Sequence, residues 1–148
     1  MAARLVVRAL ALGLVTPVLV ACQSKTESYC QGVSEHQEEL TDLVSRDDAA
    51  ALFEANDIYR SLAEDAPDDI GDEYEVVIDA IDRLESTVED LGIDPSTYDP
   101  KNPPRDLSDA DVDRLRAAAV GLVDPTTVAA MDSVEQQARD VCRTPLTL

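Results

Sequence analysis

The sequence predicts an all-α fold, a four- to five-helix bundle with a proline-rich crossover, and three observations carry that expectation. Apolar residues recur at intervals of three and four along most of the chain, and no stretch alternates as a half-buried strand would. Turn-forming residues (Pro67, Gly92, Gly121, Pro125) fall between the periodic stretches. Four of the eight prolines crowd into residues 93–107, where no regular helix can continue. The chain has 148 residues, 45% of them hydrophobic. That is one domain's length, with enough apolar material for a core.

The elements follow in order. Over residues 27–45, Cys30, Val33, Leu40, Leu43 and Val44 recur at helical spacing, and Asp42 and Arg46 stand at i,i+4. No Gly or Pro separates this helix from the next, so the boundary rests on Asp47 or Asp48 as an N-cap. The second helix has the inner face Leu52, Ala55, Ile58, Tyr59, Leu62 and Ala66. Pro67 suits the first turn of the third helix and Gly92 its C′ position. Its stripe of Ile70, Tyr74, Val77, Ile81, Leu84, Val88 and Leu91 is the most regular in the chain, and inside one small domain such a stripe is bundle core. After the crossover at 93–107, Ser108 caps a short fourth helix, with Asp111 at N3, running to Val120 and ended by Gly121. Asp124-Pro125 opens the last helix, with Val128, Met131, Val134, Ala138 and Val141 inward and a Glu135–Arg139 pair outside.

The N-terminus reads as an export signal. Arg4 and Arg8 precede an apolar run from Ala9 to Val20, too short for the roughly 20 residues of a membrane span. The run closes on Leu19-Val20-Ala21-Cys22, which resembles the lipobox of bacterial lipoproteins. That resemblance implies cleavage after Ala21, a diacylglyceryl group on the Cys22 sulfur, and acylation (palmitate or a similar chain) of the new amine. Residues 22–28 would then be a lipidated tether and 29–148 the bundle domain. Loss of residues 1–21 removes two of the twelve cations and no acid, taking the net charge from −19 to −21. Two or more acyl chains anchor stably where one is marginal. Arg over Lys in the ratio ten to two, abundant Asp and the closing Glu-Gln-Gln-Ala-Arg-Asp-Val-Cys stretch resemble small uncharacterised lipoproteins of high-GC Gram-positive bacteria, a likeness that implies no particular activity.

With Cys22 assigned to lipid, Cys30 and Cys142 remain as an even pair in an exported chain, which reads as a disulfide clamping the two ends of the bundle. Two free thiols or a shared metal are the alternatives, and no CxxC or paired His stands beside either cysteine. The bridge would bring the start of the first helix to the end of the last. Five helices alternating up and down would put those ends on opposite sides. The crossover resolves the conflict by running back along the bundle or by letting the fourth helix lie across one end, leaving four legs.

Charge and composition exclude as much as they suggest. An acidic chain lacks the clustered cations that nucleic acid requires. Glu64, Asp65, Asp68, Asp69, Asp72, Glu73 and Glu75 form a run of acids without a cation, more than the helix dipole asks for, and mark a candidate interaction patch or a solvated face. Asp109, Asp111 and Asp113 open like an EF-hand loop, but Arg114 then replaces the required Gly and Val120 the bidentate Glu, so these acids belong to the helix cap. His36 lies among Glu35, Glu38 and Glu39 without the paired motifs of a bundle metal site. No nucleophile stands with a base and an orienting group. The expectation is a non-enzymatic, lipid-anchored protein on the outer face of the cell membrane, without metal or cofactor. It acts as a protein-interaction or envelope-structural module towards an envelope protein. The alternatives are a receptor or scavenger for a small ligand or cation and, last, an enzyme.

Overall fold

Local signals place the helix ends. The computed structural model describes residues 24–46, 48–99 and 103–148; Cys22 and the stretch expected as an export signal lie outside them. Helix α1 spans Lys25–Arg46, α2 Ala49–Asp65, α3 Gly71–Asp90, α4 Asp109–Leu122 and α5 Pro125–Gln137, and a π-helical turn, Ala138–Cys142, extends α5. A capping box starts α1: the Glu27 amide donates to Ser24 Oγ (3.2 Å) and the Ser24 amide to Glu27 Oε2 (2.8 Å). Residues 25–28, expected as tether, therefore form its first turn. Asp48 caps α2 by accepting from the Ala51 amide at 2.7 Å. Arg46, expected to pair with Asp42, instead reaches forward to Asp48 and Glu54 and ties the α1–α2 corner.

Pro67 does not begin α3. The residue before a proline avoids helical geometry, so Ala66 is extended and ends α2. Pro67 then accepts from the Ile70 amide (3.1 Å) in a turn that tucks Ile70 into the core, and α3 starts at Gly71. At its far end Gly92 takes φ +64°, and two bonds, Gly92 N–H to Glu89 (2.9 Å) and Ile93 N–H to Val88 (3.0 Å), complete a Schellman closure. Ser108 caps α4 as expected, accepting from Asp111 N–H and donating to its carboxylate. Gly121 does not terminate α4, which runs one residue further to Leu122.

Four helices form a ring. α2 packs against α1 and α3, α3 against α5, and the π turn returns to α1, where Cys30 and Cys142 are joined with their Cα atoms 5.0 Å apart. The four-leg bundle clamped at its ends is thus the observed fold. α3 is the centre, and its whole predicted stripe from Ile70 to Val88 is buried. Tyr29 and Tyr74 meet edge to face inside (centroids 6.2 Å apart) and share an OH–OH hydrogen bond of 3.1 Å. α1 and α2 approach so closely at Gly32 that a Cβ there would lie 3.0 Å from Leu62 Cδ2. The C-terminal tail folds back along α1, with Leu146 buried, Gln37 Nε2 donating to the Pro145 carbonyl and Leu148 N–H to Thr41 Oγ1.

The last helix keeps Val134 and Ala138 inside as expected but differs at its two ends. Val128 is 45% exposed and Val141 40%, while Thr127, Ala130, Val134 and Ala138 are buried. Small residues let α5 sit close to α3, and Thr127 Oγ1 donates to the Gly121 carbonyl across the α4–α5 turn (2.9 Å). In the π turn each residue advances by less than the ~100° of an α-helix, so Val141 falls on the outer side. Val44, expected inside, is 62% exposed. The Glu135–Arg139 pair forms at 3.2 Å.

Candidate functional site

The ring is unequal along its length. α5 lies beside the first half of α3, where Gln137 reaches Asp69 and Thr126, Ala129 and Ser133 border a shallow groove with Asp72 and Val76. Beside the second half lies α4, whose Arg114 reaches Asp90 at 3.2 Å. α4 buries only Leu115 completely, and its C-terminal end fills the remaining space incompletely. What is left is an open apolar cleft of about 610 Å³.

Each wall has a local origin. Leu43 and Val44 come from the last turn of α1, Ala49, Ala51, Leu52 and Ala55 from the first turns of α2, and Leu84 from α3. The opposite wall is Ala119 and Leu122 of α4, Val123 just beyond it, and Tyr98 of the crossover. Asp94 folds the crossover by accepting from the Ser96 amide and hydroxyl, which brings Tyr98 over the bundle. A second groove of about 280 Å³ adjoins the first, shares Tyr98, Ala119 and Val123 with it, and leads to Arg116. The exposed valines Val44, Val120 and Val123 border these two spaces rather than forming a separate flat patch.

Polar groups in the cleft are few. Asp48 Oδ1 accepts from the Ala51 amide and Oδ2 from Arg46, and the Ala51 bond leads in holding this carboxyl below its usual range. Burial pushes the Tyr59 phenol up to about 12, with the Glu135 charge adding to it. Tyr98 is raised less, by partial burial and then by Asp99. Among the described residues lining it, Asp48, Tyr59 and Tyr98 carry polar side-chain groups and the others are apolar.

The residues singled out from the sequence lie elsewhere. Cys22 is outside the described residues. The acids Glu64, Asp65, Asp68, Asp69, Asp72, Glu73 and Glu75 cluster around the α2–α3 turn, at the opposite end from the cleft, and all but Glu73 are exposed. Lys25 reaches Asp68 at 3.1 Å. His36 pairs with Glu39 at 3.2 Å and lines a small polar hollow with Glu35 and Asp65. Among the described residues, no group of three or more His, Cys, Asp or Glu converges in a way that could hold a metal. Asp109 and Asp111 sit in the first turn of α4, and Asp113 pairs with Arg116 at 2.8 Å.

The cleft escaped the sequence because its residues carry the same pattern as core. Leu43, Val44 and Leu52 belong to stripes that any bundle helix would show, and nothing in their spacing says that the covering helix stops short. Two signs were present: Tyr98, an aromatic inside a proline-rich crossover, and the Ala-Ala-Ala-Val run of α4, with few large residues to fill a core. Compared with models of known families, with curated proteins and with solved structures, the chain matches none.

Proposed function

We propose that this chain is an exported, lipid-anchored and non-enzymatic binding protein whose ligand site is the apolar cleft between α1, α2 and α4. The cleft carries the reading. Its volume falls within the roughly 300–1,000 Å³ typical of small-molecule sites, and it is lined mainly by aliphatic groups. The exposed valines at its lips support a receptor over a flat protein-docking module, because they continue the concave wall. Anchoring rests on the Leu19-Val20-Ala21-Cys22 lipobox. Cys22 lies three residues before α1, so an anchor there would hold the acidic α2–α3 end near the membrane. The cleft would then face outward, above about 27 Å of helix between Lys25 and Leu43. Among the described residues no helix is long and apolar enough to cross a membrane.

A photoreactive alkane bearing a diazirine, applied to the protein in lipid nanodiscs, tests the reading. Peptide mapping should place the label on Leu43–Leu52 and Ala119–Val123, and Ala119→Trp, which fills the cleft, should abolish it. Label spread over the surface and indifferent to that substitution would overturn the assignment.

A further inference from the structure

We propose that the occupant of the cleft is a single-chain amphiphile with a terminal carboxylate, its chain lying in the cleft and its head at Arg116. This rests on the preceding reading and names the ligand class.

Size argues for one chain. At roughly 30 Å³ per methylene-sized group, about 610 Å³ holds on the order of 20 such groups, one long acyl chain and not two. Shape argues for an elongated molecule, since the adjoining groove extends the same apolar wall past Tyr98, Ala119 and Val123.

Charge argues for the head. Among the described residues, two charged side chains line the joined space, Asp48 at one end and Arg116 at the other. Asp48 is engaged, because Oδ1 holds the α2 cap and Oδ2 faces the Arg46 guanidinium, which offsets its charge. A cationic head there would meet Arg46 beside it. Arg116 pairs through Nη1 with Asp113, and both side chains are mostly exposed (67% and 75%). An exposed pair of this kind is weak, and a guanidinium has five N–H groups, so Arg116 retains donors for a carboxylate at the mouth of the groove. The cation also stands out against the charge of the whole chain. Long-range attraction would not bring an anion to a protein of net charge −19, so the recognition is local and needs the apolar chain to supply most of the affinity.

The test uses two diazirine probes of equal chain length, one ending in a carboxylate and one in an alcohol, on the full protein in nanodiscs. Labelling of the cleft peptides is compared between the native chain and Arg116→Ala at sub-saturating probe. Arg116→Ala should lower carboxylate labelling by about three- to fivefold, the worth of a solvent-exposed ion pair. Alcohol labelling should stay within about twofold, which also shows that the variant is folded. Arg116→Lys should restore part of the loss, and Asp113→Asn, which frees the guanidinium, should raise carboxylate labelling. If both probes label the cleft and Arg116→Ala changes neither, the head assignment is overturned and the cleft reading stands. If a two-chain phosphatidate probe labels as well as the single-chain carboxylate, the single-chain assignment is overturned. If no probe labels the cleft, both readings fall.

Discussion

Removing the Cys30–Cys142 bridge with a double alanine substitution should lower stability by about 2–4 kcal/mol without changing the fold. The magnitude follows from topology. The bridged residues are 112 apart in sequence, and closing a loop of that length removes entropy from the unfolded chain worth about 4.8 kcal/mol in the chain-entropy model. Native-state relaxation and residual unfolded structure reduce that ceiling. The folded state keeps its other ties at the same seam: Leu146 stays buried, Gln37 still holds Pro145, and Thr41 still holds the Leu148 amide. Helicity should therefore persist, while the midpoint of thermal unfolding falls by roughly 8–15 °C for a domain of about 125 residues. Urea unfolding followed by circular dichroism provides a second readout. The uncrosslinked chain exposes more surface when unfolded, so its m-value should rise as its midpoint falls. Cys30→Ala alone should cost about the same, because either substitution opens the loop. A loss under about 1 kcal/mol with an unchanged m-value would refute the entropic account.

Ile81→Asp should unfold the domain or cost at least ~4 kcal/mol, since it places an unpaired charge on the buried face of α3, whereas Glu85→Asp, one turn on and only half-buried, should shift the melting temperature little; equal shifts would mean that the face is misassigned. Burial raises Tyr29, Tyr59 and Tyr74 above 10.0, Tyr59 to about 12, so the unfolded chain loses these protons first and the folded state binds more of them across that window. For Tyr59 that contribution is complete below pH 10 and is lost as pH rises through about 12, at up to ~1.4 kcal/mol per pH unit; Tyr59→Phe should flatten this alkaline slope in a pH series of melting temperatures, and an unchanged slope would exonerate Tyr59. Cys22→Ala should abolish incorporation of a fatty-acid analogue in cells, because the thioether needs the sulfur; undiminished label would end the lipoprotein reading.

Much of the bundle was legible because its causes are local. Asp48, Ser108 and Asp124 cap helices by bonds to amides two or three residues on, and Gly92 closes α3 because its φ is positive, so sequence spacing alone locates them. The Ile70–Val88 stripe was equally secure, since a helix packed on several sides must bury a full run of large residues. Errors arose where a local signal had two outcomes. Pro67 suits both a first helical turn and the turn before one, and Ile70's pull into the core decided for the latter. In α5, Val134 and Ala138 are inside as expected, but weight placed on the large residues Val128 and Val141 missed the buried Thr127 and Ala130.

Composition, caps and helical periodicity determined from the sequence alone that this chain is an acidic all-α bundle, because each depends on neighbours within a few residues; the Cys30–Cys142 pairing, expected from an even pair of cysteines, is met in the structure. Relative reach was decided only in three dimensions. α5 and its π turn go to meet Cys30, α4 is left to cover the second half of α3, and its small residues do not fill the space. An apolar side chain has the same periodicity whether or not another helix lies over it. Core and cleft therefore look alike along the chain, and only the positions of distant elements separate them.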